Sequence, residues 1–159
     1  MNRAQKRLAA SISSKQPAMR FKPKITRPNL AEIQGLFGHI DIMFNQLRSG
    51  YIDAANGRPI MHDGQGGWHE IAPALLGWVD LWDRIATRYK LVIDTRSLTI
   101  IANRLQYDSP LTLDLINKGQ AAIDRCRAIY ARLDVFEVRA MVNEQCRTIE
   151  IQELMKGGV

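Results

Sequence analysis

Between Ile71 and Tyr89 the large apolar residues Ile71, Leu75, Trp78, Trp82, Ile85 and Tyr89 fall at a 4-3-4-3-4 spacing. Residues so spaced line one side of a 3.6-residue helix and cannot alternate across a strand. Such a helix needs other apolar faces to bury its own, so the rest of the chain must supply them. Pro73 fits its first turn, where no N–H is needed. The same seam also suits packing across a dimer, so a homo-oligomer is among the expectations.

Four further helical patterns supply the partners. The first is expected over 29–48, with Asn29 as N-cap and Glu32 completing a capping box. Its face is Ile33, Leu36, Phe37, Ile40, Phe44 and Leu47, and Gly50 is placed to end it. A third helix is expected over 95–106, capped by Asp94, with Leu98, Ile101, Ala102 and Leu105 inward. A fourth is expected over 110–133, started by Ser109-Pro110, with Leu115, Ile116, Ala122, Ile123, Cys126, Ile129, Tyr130 and Leu133 as its face. Between 110 and 156 the lone Gly119 is no outright breaker, yet the apolar phase changes at Asp134. Beyond it Val135, Val138, Met141, Val142, Cys146 and Ile149 define a new face. Asp134 with Glu137 resembles another capping box, so a fifth helix is expected over 135–155.

The stretch from Gly50 to Ala72 breaks this regime. Tyr51-Ile52-Asp53 and Pro59-Ile60-Met61 flank Asn56-Gly57, which suits a type I′ turn and predicts a short β-hairpin. Pro59 cannot donate to a ladder, so its strand is expected to be short and on an edge. Gly64, Gly66 and Gly67 then read as a flexible lead-in to Trp68, which either staples the hairpin to the body or stays partly exposed. The excursion offers Tyr51, Arg58, His62 and Trp68 as a candidate contact surface for a protein partner.

Charge divides the chain in two. Overall it carries +6, but residues 1–28 hold Arg3, Lys6, Arg7, Lys15, Arg20, Lys22, Lys24 and Arg27 with no acid. The remainder has 14 Lys plus Arg against 16 Asp plus Glu, a net of −2. With Pro17, Pro23 and Pro28 in it, the N-terminal segment is expected to be a flexible basic arm that meets an anionic partner. Lys118, Arg125 and Arg132 recur every seven residues on the fourth helix. They extend the alternative in which arm and helix face bind nucleic acid, against the plainer expectation of a solvated, salt-bridged surface.

Site chemistry is sparse. His62, Asp63, His69 and Glu70, joined by His39, are residue types that suit zinc or non-haem iron. His69-Glu70-Ile71-Ala72-Pro73 has proline where His-Glu-x-x-His needs its second histidine. A metal-dependent enzyme at His62 and His69 therefore ranks third, behind solvated loop residues that help cap the second helix. Gly64-Gln65-Gly66-Gly67 lacks the lysine of a phosphate loop, and no nucleophile motif is present, so no cofactor and no catalytic residue are assigned. Residues 98–118 invite a helix-turn-helix reading, but Gln106 replaces the turn glycine. The would-be recognition helix opens Pro110-Leu111-Thr112-Leu113-Asp114 without a cation. Cys126 and Cys146 form no Cys-x-x-Cys and read as reduced core or boundary thiols. No apolar run approaches the roughly 18 residues of a membrane span, and no apolar region follows Lys6 and Arg7 as a secretory signal would require.

Met1-Asn2-Arg3-Ala4-Gln5-Lys6-Arg7 resembles the opening of many small proteins encoded by tailed bacteriophages and prophages. The likeness covers the first ten residues or so. It implies an accessory protein of a phage or mobile element, acting in the bacterial host cytoplasm by binding, as an assembly chaperone, adaptor or inhibitor of host machinery. It carries over no catalytic residue. The expectation is a mainly α protein: a basic arm over 1–28, then over 29–159 a bundle of about five helices with one hairpin insertion. Its expected role is to bind a host or virion protein, as an inhibitor of a bacterial defence or nucleic-acid-processing complex would.

Overall fold

The computed structural model describes Lys24 to Gly157, apart from Tyr51, Asn56 and residues 63–66. Of the basic arm, Arg3, Lys6, Arg7, Lys15, Arg20 and Lys22 lie outside the described residues, as does Tyr51. The described chain forms five helices and a three-stranded sheet: α1 (Leu30–Ser49), β1 (Asp53–Ala55), β2 (Arg58–His62), β3 (Trp68–Glu70), α2 (Ile71–Tyr89), α3 (Arg96–Gln106), α4 (Leu113–Tyr130) and α5 (Val135–Gly157).

α1 starts and stops as its sequence dictates. Asn29 Oδ1 accepts from Glu32 N at 2.8 Å, and Glu32 Oε2 accepts from Asn29 N at 3.3 Å. Gly50, at φ 73°, takes the left-handed turn that ends it.

The next segment is a meander rather than a lone hairpin. β2 is central and pairs antiparallel with both β1 and β3. Gly57, at φ 74°, provides the tight reversal between Ala55 and Arg58. Pro59 was expected to confine its strand to an edge, and that is corrected. It faces Ala54 one pair beyond the closing Ala55–Arg58 pair, where an antiparallel ladder asks for no hydrogen bond on that side. On the other side, pairing with β3 stops at Ile60 opposite Glu70. Its missing N–H therefore costs the sheet nothing. β3, which was not expected, begins at Trp68 just past the Gly64–Gly67 lead-in, of which residues 64–66 lie outside the described residues, and it runs directly into α2.

The seam of α2 is consumed within one chain. Ile71, Leu75, Trp82 and Ile85 are buried, while Trp78 and Tyr89 pack half-buried against the same core. Around it gather Phe37, Ile40 and Phe44 of α1, Leu98 and Ile101 of α3, Ile123 and Cys126 of α4, and Val135 and Val138 of α5. Burial pushes the Cys126 thiol up to about 12, so it stays a protonated, inert core group.

Two helix starts differ from expectation, and one capping box is incomplete. α3 begins at Arg96, not 95, because Asp94 reaches past the cap position: its Oδ1 accepts from Arg96 N at 3.1 Å, and Oδ2 from Arg96 Nη2 at 2.8 Å. α4 begins at Leu113 rather than 110, because Thr112 is extended and its hydroxyl accepts from Leu115 N at 3.2 Å. Residues 107–112 then form a longer connection than a helix-turn-helix allows. The Asp134–Glu137 box is only half made. Asp134 Oδ1 accepts from Phe136 N at 2.8 Å and from Glu137 N at 3.3 Å. The Glu137 carboxylate instead accepts the Tyr89 hydroxyl and lies 3.7 Å from Arg88.

α5 also departs from its expected face. Val135 and Val138 are buried and Met141 and Val142 partly so, but Cys146 and Ile149 are exposed. Gln145, whose Nε2 donates to Gly77 O at 2.7 Å, is the last buried residue, and the helix runs past the body from there.

Gly119 is where α4 meets α1 and α3. A Cβ at this position would lie 2.6 Å from Ile101 Cδ1 and 2.9 Å from the Phe44 ring. Both side chains are fully buried, so making room for a Cβ means repacking them within the core. Glycine to alanine in a helix ordinarily gains about 1 kcal/mol. Here Gly119→Ala is expected to lose about 1–3 kcal/mol by overpacking, measured as a lower urea midpoint with an unchanged slope.

Candidate binding surface

The register of the sheet decides which side chains meet solvent. Residues directly opposite each other in an antiparallel pair share a face, and neighbours along a strand alternate. Met61 is buried, and β2 packs against α2 and α3, so the Met61 face is the inner one. Arg58, Ile60 and His62 therefore lie on the outer face, together with Glu70 opposite Ile60 and Trp68 opposite His62. Three of the expected contact residues, Arg58, His62 and Trp68, are thus brought together, and the fourth, Tyr51, lies outside the described residues.

The outer face is ordered by its own side chains. The His62 and Trp68 rings meet edge to face with centroids 5.0 Å apart. Arg58 Nη1 lies 3.3 Å from Glu70 Oε1, spanning the strand pair at its other end. Trp68 keeps 55% of its surface exposed. Of the two expectations for Trp68, exposure is the one that holds: it packs on His62 on the outer face rather than stapling the sheet to the helices. Glu70 stands at the N-cap position of α2, yet its side chain makes no cap hydrogen bond.

The other two tryptophans belong to the interior. Phe37 packs edge to face on Trp78 with centroids 4.9 Å apart, and the Trp78 and Trp82 rings are 5.9 Å apart. The indole nitrogens of Trp78 and Trp82 are buried without a hydrogen-bond partner among the described residues. Arg127 sits 4.9 Å over the Phe37 ring while both its terminal nitrogens engage Asp41, which closes this cluster at the surface.

The same register separates the two histidines of the excursion. His69 lies opposite Met61 and His62 opposite Trp68, so their imidazoles leave the sheet on opposite faces. A metal shared by His62 and His69 has no common side to occupy, and Asp63 lies outside the described residues. Among the described residues no group of three or more His, Cys, Asp or Glu is placed to hold a metal ion. Lys118 and Arg125 are exposed on α4 and Arg132 is exposed in the turn beyond its end, so the three are not one uniform stripe. Lys118 pairs with Asp114 at 3.0 Å, and Arg125 faces Asp94.

The third strand went unread in the sequence because three residues are too few for a periodic signal. The available cue was Trp68 after a glycine cluster, opposite a strand already expected to end near Met61. No helix of the described residues is long and apolar enough to cross a membrane. Comparison with protein-family models, curated proteins and solved structures finds no match to this chain.

The placement of the tryptophans predicts their fluorescence. Acrylamide should quench a solvent-accessible fraction of the emission in the folded protein, and Trp68→Phe should remove that fraction while leaving the protected emission of Trp78 and Trp82. Unchanged quenching in the variant would mean that Trp68 is not the exposed indole.

Proposed function

We propose that this chain is a non-enzymatic binding protein, an accessory factor of phage or mobile-element origin that engages a host or virion protein through the outer face of its sheet. The observation that supports it is the convergence of Arg58, His62 and Trp68 on one face turned away from Met61. Tryptophan and arginine are the residue types that concentrate binding energy at protein interfaces. Here an indole is left open at the sheet edge, although this chain buries Trp82 in the core and packs Trp78 half-buried against it. The arginine beside it is held by a rim ion pair with Glu70, worth little to stability when exposed and free to re-pair on contact. A short sheet mounted on helices by Met61 and Ile71 gives a preformed surface, which lowers the ordering cost of association.

Inhibition of a bacterial defence or nucleic-acid-processing complex is one form such binding takes, and the bacterial cytoplasm is the compartment it requires. The experiment is affinity capture from bacterial lysate with tagged protein and its Trp68→Ala and Arg58→Ala variants, followed by mass spectrometry and affinity measurement on the recovered partner. A stoichiometric partner is expected, bound at least tenfold more weakly by Trp68→Ala, with the thermal midpoint shifted by no more than a few degrees. A partner held equally well by both variants would move the contact surface elsewhere and defeat the proposal.

A further inference from the structure

A second surface lies at the α4–α5 turn. The extended segment before α1 is fastened there: Thr26 N donates to Asp134 Oδ2 at 3.2 Å, and Thr26 O accepts from Val135 N at 2.8 Å. This docking runs the backbone of Lys24 to Arg27 along the α4–α5 turn, which contains Arg132, and the start of α5, which carries Phe136 and Arg139. All four cations are exposed, and none makes an ion pair among the described residues. Of the other described cations, Arg58, Arg88, Arg96, Lys118 and Arg127 are paired, and Arg48, Arg84, Lys90, Arg104, Arg125, Arg147 and Lys156 are not, so what sets this group apart is the exposed aromatic ring among it.

Three acids lie nearby, and each has a structural partner: Glu32, which lines the same hollow as Arg139, accepts from Asn29 N in the cap of α1. Asp134 accepts three backbone N–H groups, from Thr26, Phe136 and Glu137, which hold its carboxyl below the usual carboxylate range. Glu137 is taken by Tyr89 and Arg88. Amid these unpaired cations Phe136 leaves 59% of its surface open, with the Arg139 guanidinium 5.6 Å over its ring.

We propose that Lys24, Arg27, Arg132 and Arg139 around the ring of Phe136 form a binding patch for single-stranded nucleic acid. Unpaired cations neutralise successive phosphates, and an exposed aromatic ring offers a face on which an unpaired base stacks. The guanidinium at the ring widens that planar platform. A duplex keeps its base faces covered, so the ring selects for a single strand. An acidic peptide would satisfy the cations but has no use for the aromatic face. Lys118 and Arg125 stand apart from the patch, the first paired with Asp114 and the second facing Asp94. The patch does not involve the sheet face.

Fluorescence anisotropy of labelled oligo-dT and oligo-U with the full chain, across a salt series, tests this. Saturable binding at low salt is expected, and any preference between the two oligomers tells DNA from RNA. Phe136→Leu, an exposed change that keeps the apolar volume, should weaken binding about tenfold. Arg132→Gln with Arg139→Gln should lower the slope of log affinity against log salt by about 1.4, and Trp68→Ala should change nothing. The proposal is overturned by absence of saturable binding at low salt, by full affinity in Phe136→Leu, or by duplex DNA or polyglutamate competing as well as oligo-dT.

Discussion

The close approach of α4 to α1 and α3 at Gly119 is the constraint on which the rest of the arrangement depends. With no side chain at 119, the Phe44 ring and Ile101 fill the space a Cβ would need. That contact brings Phe44 and Phe37 of α1 inward together. Phe37 then forms the hub of the aromatic cluster, touching Trp78, Trp82 and Tyr130. Through Trp82 it fixes α2, and through α2 and α3 it fixes the buried Met61 of the sheet. Interiors packed at crystal-like density pass such a constraint along rather than absorb it, so the outer face of the sheet takes its orientation from a glycine on a distant helix.

Polar groups finish what packing begins. Asp134 ends the α4–α5 turn, caps α5 and holds Thr26 with one carboxylate. Arg127 ties α4 to α1 through Asp41, and Gln145 ties α5 to α2 at Gly77. Each of these groups is consumed in placing an element. The proposed contacts rest on two exposed surfaces, Trp68 with Arg58 and His62 on the outer face of the sheet, and Phe136 under the Arg139 guanidinium at the start of α5.

Much of this was legible in the sequence, for reasons that are themselves physical. The five helices follow from long apolar periodicities, and α1 was readable at both ends because Asn29, Glu32 and Gly50 each have a local role. The Asn56-Gly57 dipeptide gave away the first reversal. Where one residue could do two jobs, the sequence was ambiguous. Ser109-Pro110 carries start chemistry, yet Thr112 does the capping. Glu137 has capping-box spacing, yet Tyr89 and Arg88, far away in the chain, take its carboxylate. The face of α5 was expected to stay buried through Ile149, but burial depends on whether a neighbour extends that far, and none does beyond Gln145. Strand register, which decides the side on which His62 and His69 emerge, depends on pairing between segments and is invisible to local pattern.

The account turns on that register, since a slip of one residue would turn Trp68 inward and Met61 outward. Cross-strand nuclear Overhauser effects test it most directly. The register predicts contacts of Met61 with His69, His62 with Trp68 and Ile60 with Glu70, together with contacts from the Met61 methyl group to α2 and α3. Contacts of Met61 with Trp68, and of Trp68 with the core, would contradict it.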